Sequence, residues 1–305
     1  MRESPSLSPL QGFKSGFVVL AGKPNTGKST LLNALVGTKL AAVSPKPQTT
    51  RARIQGVLTR ENAQFVFVDT PGIHRPTSRL HQQMMAAVTE AISGVDLILL
   101  VVDASKPRGK EDRLAVETVR RWGLKSFLAL NKVDLIAKER LLPLIDAYRQ
   151  EHEFAECIPI SALRRDNVDR LECALLEHLP EGPRYFPEDY LTDQPERFWA
   201  AEIIREKIFS KTQQEVPYAT VVLVDKFEEL DRLVRIQATI VVAREGQKAI
   251  LIGAQGQQLK TIGRLARKEL EFLLGQKIYL ELYVKHQPRW QDHPAVAGLI
   301  DWRAG

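Results

Sequence analysis

The residues Gly22-Lys23-Pro24-Asn25-Thr26-Gly27-Lys28-Ser29 satisfy G-x-x-x-x-G-K-[ST] in full. Such a loop suits phosphate for physical reasons. Its glycines let the backbone curl into a nest of N–H groups, and the helix that starts there adds the positive end of its dipole. Lys28 is expected to reach the β- and γ-phosphates of a nucleotide, and the Ser29 hydroxyl to ligate Mg²⁺. Asn25, Thr26, Gly27 and Thr30 complete the cradle. An apolar strand before the loop and a helical pattern after it are the context that separates this motif from a chance match.

Further motifs follow in order. Asp69-Thr70-Pro71-Gly72 closes an apolar run, where the Asp69 carboxylate can hold the metal through water and the Gly72 N–H can meet the γ-phosphate. Between the two lies Pro47-Gln48-Thr49-Thr50-Arg51. A threonine there can ligate Mg²⁺ only while the γ-phosphate is present; Thr50 is preferred over Thr49, with little to separate them. Asn131-Lys132-Val133-Asp134 reads the base. Asp134 can accept N1–H and the 2-amino group of guanine, while adenine would leave that acceptor unpaired. Lys132 can lie over the purine, Asn131 can tie this loop to the phosphate loop, and Ser161-Ala162-Leu163 can offer a backbone N–H to the guanine O6. The ligand implied is GTP or GDP, not ATP. Where small signalling GTPases carry a water-orienting glutamine this chain has Ile73, so intrinsic hydrolysis is expected to be slow.

These loops need rigid carriers. Strands are expected at 17–21, 54–58, 65–69, 97–103, 127–131 and 157–160, mostly as continuous apolar runs covered on both faces. Helical stretches at 28–37, 81–92, 110–122, 138–151 and 167–178 alternate with them. The alternation predicts a doubly wound α/β sheet over residues 16–179. Residues 180–196, with Pro180, Pro183, Pro187 and Pro195, read as a linker. Residues 197–290 then run α-β-β-α-α-β, and residues 1–15 and 291–305 are left as tails.

At 305 residues the chain suits two domains. A hydrophobic share of 44% and a charged share of 26% are those of an ordinary soluble protein. No apolar run is long enough to span a membrane, and the polar N-terminus carries no signal peptide, so a cytoplasmic protein is expected. Cys157 and Cys173 share no metal or redox spacing and read as reduced core residues. The net charge of +6 lies in residues 1–179, but Arg244 to Lys268 holds six bases against Glu245 alone, a surplus that could suit a polyanion. Within it Gly253-Ala254-Gln255-Gly256 is a tight turn that lets backbone approach a nucleic-acid strand. Ile250-Leu251-Ile252 precedes it, and Lys260, Arg264, Arg267 and Lys268 follow at helical spacing.

On GKPNTGKS at 22–29, PQTTR at 47–51, DTPG at 69–72, NKVD at 131–134, SAL at 161–163 and ILIGAQGQQLKTIG at 250–263, the chain resembles the Era family. These are bacterial GTPases with a C-terminal KH domain of type II. The resemblance implies binding near the 3′ end of 16S ribosomal RNA, a part in maturation of the small (30S) subunit, and a GTP-bound form favouring RNA. It also implies contact with the inner face of the membrane, for which the residues offer no physical support. Asn25 matches an asparagine that holds K⁺ in relatives lacking the glutamine. RNA contacts are expected at Ile252, Gly253, Ala254, Gln255, Gly256, Lys260, Arg264, Arg267 and Lys268. Trp290, after the last strand, is carried with them as a base-stacking candidate, packing of a tail residue being the alternative. A monomer without DNA binding is expected. Two rivals stand beside this reading: a signalling or membrane-associated GTPase whose C-terminal module binds protein, and an RNA-modifying enzyme. Against the latter, no second cofactor loop or nucleophile–base pair is seen.

Overall fold

The apolar runs become strands and the periodic stretches become helices. The structure, a computed structural model, describes residues 12–44, 46, 50–76 and 79–290. These divide into two units, the first built from residues 12–40, 50–76 and 84–193, the second from 41–44, 46, 79–83 and 194–290.

In the first unit, β1 (Lys14–Ala21), β3 (Ala63–Asp69), β4 (Leu97–Asp103), β5 (Ser126–Asn131) and β6 (Cys157–Pro159) are parallel, and β2 (Ile54–Arg60) runs antiparallel to β3. The sheet order is β2-β3-β1-β4-β5-β6. Helices α1 (Lys28–Val36), α2 (Arg79–Glu90), α3 (Lys110–Trp122), α4 (Leu141–Arg149) and α5 (Val168–His178) accompany it. Every side chain of β3 and β4 is buried. That is why these strands read as unbroken apolar runs. β1 starts at Lys14, inside the expected tail, because its ladder with β3 begins at Lys14↔Ala63.

The expected linker is largely not one. Residues 180–193 are fastened to the first unit. Ser15 Oγ donates to Pro183 O at 2.7 Å, Gln64 Oε1 accepts from Tyr185 N and Phe186 N at 2.8 and 2.9 Å, and Thr192 Oγ1 donates to Gln55 O at 2.6 Å. Val57 N–H of β2 also donates to Leu191 O at 2.8 Å. β2 is the edge strand, and an extended proline-bearing segment covers open backbone groups that would otherwise invite pairing. The division falls after Asp193.

The second unit holds α6 (Glu196–Lys211), β7 (Thr220–Leu230), β8 (Leu233–Val242), α7 (Glu245–Ile252), α8 (Gln257–Leu274) and β9 (Lys277–His286). Its sheet is β7-β8-β9, the first pair antiparallel and the second parallel. The inward side of β8 (Val234, Ile236, Ala238, Ile240, Val242) packs with Ile203, Ile204 and Ile208 of α6 and with Ile262, Ala266 and Leu270 of α8. This is the α-β-β-α-α-β order expected. No helix among the described residues is long and apolar enough to cross a membrane.

Two expectations are corrected. Trp290 is 1% exposed, and its Nε1–H donates to Ala219 O at 2.9 Å. A ring enclosed on both faces has none left to stack on a base, so it is a core residue of the second unit. Cys173 is exposed, so it is not a core residue, while Cys157 is half-buried and packs against the core of the first unit. Trp290→Ala should destabilise the second unit by about 3–5 kcal/mol, the range for emptying a large buried aromatic site. Denaturant unfolding of wild type and variant checks this; equal midpoints would contradict the burial.

Candidate functional site

Parallel strands end on one side of a sheet, and ligands of such sheets gather there. The ladder pairs Leu20↔Asp69 and Asp103↔Asn131 bring the ends of β1 and β3, and of β4 and β5, level. The loops at 22–29, 69–72 and 131–134 leave from these ends, Ser161–Leu163 follows β6, and Thr50 and Arg51 lead into β2.

In the phosphate loop, Lys28 is buried and its Nζ donates to Gly22 O at 3.1 Å and Lys23 O at 3.0 Å. Burial pulls its ammonium down to about 8, the Asp69 charge opposing the shift. The same burial pushes the Asp69 carboxyl up, against the Lys28 charge and the hydroxyls of Ser29 and Thr50. Ser29 Oγ lies 2.6 Å from both Thr50 Oγ1 and Asp69 Oδ2, and Thr50 Oγ1 lies 3.3 Å from the same carboxylate oxygen. Asp69 Oδ1 is buried with no hydrogen-bond partner among the described residues. Three oxygens converging from separate segments, one of them on an incompletely satisfied carboxylate, are a donor set fit for a hard cation such as Mg²⁺. Thr50 is one of these three oxygens; Thr49 lies outside the described residues.

Gly72 is required by contact. A Cβ built there would meet Pro24 N at 2.4 Å, and the next N–H, of Ile73, donates to Gly22 O at 2.9 Å. The Asp69–Gly72 loop thus closes on the phosphate loop. Ile73 is buried in the core, and its aliphatic side chain has no polar group with which to orient water.

The base-reading loop is tied to the cradle as its residues suggested. Asn131 Nδ2 donates to Thr26 O at 2.8 Å, while its Oδ1 accepts from Lys132 N and Ala162 N at 2.8 and 2.9 Å. Gly27, at φ +96°, would put a Cβ 2.3 Å from that Asn131 nitrogen. One amide therefore fixes three motifs. Lys132 Nζ donates to Asn25 O at 2.9 Å and Asp103 Oδ2 at 2.7 Å. The Asp134 side chain is 6% exposed with Arg164 Nε 3.5 Å away, and Leu163 stands 78% exposed. Ser161 and Ala162 are buried beneath them.

The motifs did not name Asp103. Burial works against its carboxylate, but donation from Lys132 and Ser105 outweighs burial and holds the pKa below the usual range. A signal existed: Asp103, like Asp69 and Asn131, is the polar residue that ends an apolar strand. Lys23 was also missed in its role; its ammonium sits 2.6 Å from the buried carboxylate of Asp112, near the start of α3.

In the second unit the glycine turn joins α7 to α8. Gly253, Gln255 and Gly256 all take positive φ (70°, 50° and 77°). At Gly253 a Cβ would come within 2.7 Å of Gln258 Cβ. Ala254 and Gln255 are exposed at its tip and Ile252 is half-buried at its base. Beside the turn runs a groove of about 460 Å³, walled by Gly256, Leu259, Lys260, Gly263, Arg264 and Arg267 and floored by Leu280 and Leu282 of β9. Lys268 is exposed on the same helix. Cations above an apolar floor, next to an open glycine turn, suit a single strand of RNA laid backbone to the turn and bases to the floor.

Comparison with known proteins agrees with this geometry. Residues 17–132 match the family described as 50S ribosome-binding GTPase and residues 215–291 the KH domain family. The chain is 51% identical to the GTPase Era of Syntrophus aciditrophicus over 92% of this chain and 93% of the relative. It is 48% identical to that of Leuconostoc citreum over 92% and 94%. A crystal structure of Era with MgGDPNP and nucleotides 1506–1542 of 16S ribosomal RNA superposes with a TM-score of 0.92 at 41% identity, covering 95% of this chain and 99% of that one. Aquifex aeolicus Era bound to GDP and aluminium fluoride gives 0.91 at 40% identity, with the same coverage.

A lysine that holds phosphate must do so as the ammonium, so if Lys28 fills that role, nucleotide affinity should be full well below pH 8 and fall above it. With the free-site value at about 8, GDP should bind about fourfold more weakly at pH 8.5 than at pH 7 by proton linkage. Titration with a fluorescent GDP measures this. Lys28→Arg, always charged, should lose that dependence; an equal slope in both proteins would assign the titration elsewhere.

Proposed function

Because the chain belongs to the Era family of GTPases, we infer that its GTP cycle governs how the second unit holds the 3′-end region of 16S ribosomal RNA during small-subunit maturation in the cytoplasm. The chain is a GTPase of two parts, a P-loop domain and a KH domain. What carries the reading is the presence in one chain of a complete guanine-nucleotide cradle and a basic groove beside a glycine turn. The relative that holds this RNA shares both parts.

In this reading Asp134 accepts the guanine N1–H and amino hydrogens, Lys132 covers the purine, and the Ala162 region answers O6. The nest over Asn25–Ser29 and the Lys28 ammonium hold the phosphates. Ser29 and Thr50 would ligate Mg²⁺ directly, with Asp69 acting through water. The metal when bound neutralises charge on the β- and γ-phosphates. Thr50 reaches this set from the segment after Thr49, so a γ-phosphate that recruits the metal also orders that segment. The Gly72 N–H meets the γ-phosphate on the opposite side. Among the described residues near Gly72, Asp69 is engaged by the hydroxyls, Ile73 is in the core, and the buried His74 imidazole is turned to the Gly72 carbonyl, its Nδ1 2.6 Å from Gly72 O. Catalysis is therefore positioning and charge stabilisation. Lys260, Arg264, Arg267 and the turn backbone would hold RNA phosphates, and the Leu280–Leu282 floor would receive bases.

The missing water-orienting side chain sets a slow rate, on the order of 10⁻⁴–10⁻³ s⁻¹ in sodium buffer. Asn25 lies within the nest, where a monovalent cation could supply the charge that an arginine supplies elsewhere, so potassium should raise the single-turnover rate several-fold. Equal rates in the two salts would exclude that role. For the partner, binding to labelled 16S 3′-end RNA is compared with an unrelated RNA of equal length, with the protein loaded with a non-hydrolysable GTP analogue, with GDP or with nothing. Selective binding that tightens several-fold with the analogue is expected. Equal binding in all states would break the coupling, and no selectivity would break the assignment of the RNA.

A further inference from the structure

Helix α8 carries more than the groove uses. Lys260, Arg264 and Lys268 are exposed at four-residue spacing, and no ion pair engages any of them among the described residues. Four residues beyond Lys268 stands Phe272, 84% exposed, the most exposed large apolar side chain described. Its helical neighbours give it no apolar company on that side. Lys268 precedes it by one turn, Gly275 and Gln276 beyond it are exposed, and Leu273 and Leu274 turn into the core. Protein docking calls for a contiguous apolar patch. A nucleobase needs only a π-face and a cation nearby for its phosphate. An isolated ring beside unpaired cations fits the second requirement and not the first.

We propose that Phe272 is a stacking platform for a base of single-stranded RNA that runs beyond the groove, with Arg264 and Lys268 holding the phosphates between. The inference rests on the reading that the second unit binds RNA. Its dimensions agree with that course. At 1.5 Å and 100° per residue, Phe272 lies about 24 Å along the helix from Gly256 and about 120° around it from Lys260, so the strand reaches it by climbing around α8 along Arg264 and Lys268, beyond the four backbone nucleotides that a glycine turn of this kind clamps. The platform therefore engages long RNA and not short. Being exposed, it contributes to RNA affinity without contributing to the fold.

The test measures binding of the full chain, loaded with a non-hydrolysable GTP analogue, to three RNAs. One has five nucleotides and covers the groove; the other two have twelve and extend it on the 5′ or the 3′ side. Phe272→Ala should weaken one of the long RNAs about tenfold, the scale of a lost base–aromatic stack, and leave the short RNA unchanged. Phe272→Tyr should keep the long-RNA affinity. The salt slope should be unchanged in Phe272→Ala and smaller in Lys268→Ala, because only the lysine neutralises a phosphate. Wild-type affinity of Phe272→Ala for both long RNAs would overturn the platform, as would an equal loss on short and long. Failure of the unaltered protein to bind even the short RNA would overturn the RNA reading itself, and the platform with it.

Discussion

A cation and an anion share a buried site at the ends of β1 and β3, and burial works against both. Lys28 is pulled down and Asp69 pushed up, each partly relieved by the other's charge. Isolated buried charges are costly, so the surroundings must satisfy them. The Lys28 ammonium borrows two carbonyls of its own loop, and Asp69 takes hydroxyls from Ser29 and Thr50. A triphosphate and a divalent cation complement these two charges, and the nest, the glycine contacts and the Asn131 amide all hold the loops around that pair. The parallel sheet makes this affordable: β1 and β3 end level, as do β4 and β5, and rigid ladders fix where each loop begins.

Two devices keep the loops from collapsing into one another. Close approach is reserved for glycine, at Gly27 under Asn131 and at Gly72 against Pro24. Lysines tie the outer wall, Lys132 to Asp103 and Lys23 to Asp112. In the second unit the logic is reversed. Lys260, Arg264 and Lys268 stay exposed on α8 with no ion pair among the described residues, beside a floor of leucines, because a phosphodiester chain arrives with its own charge and its own water. A fixed buried charge suits one nucleotide in one pose; a row of solvated cations suits a strand that can slide into register.

Much of this was legible in the residues. The strands and helices of both units and the loops that carry the signature motifs follow from apolar periodicity and fixed loop spacing, which are local properties of the chain, while the KH type of the second unit came with the family resemblance. The structure brings Thr50 to Ser29 and Asp69, a meeting of segments that spacing along the chain does not show. The readings that failed concern partners distant in sequence. Residues 180–193 look like a linker because prolines and glycine break regular structure, yet Gln64 and the open edge of β2 hold them in place. Trp290 looks like a ring available to a base until Ala219, 71 residues away, is seen to accept its N–H. Asp103 carried a readable mark, the polar end of an apolar strand, but its purpose depends on Lys132.

Sequence by itself therefore determined the chemistry on offer: a guanine-nucleotide cradle, a glycine turn with cations after it, and the order of elements that carries them. Spacing along a strand or helix decides which side chains share a face, and turn residues decide where backbone can bend. Tertiary structure alone decided burial and long-range pairing. Those set which charge is strained, which aromatic ring is sealed in the core and which, like Phe272, is left in water. The physical reason is that burial is a property of what packs around a residue, and those neighbours come from anywhere in the chain.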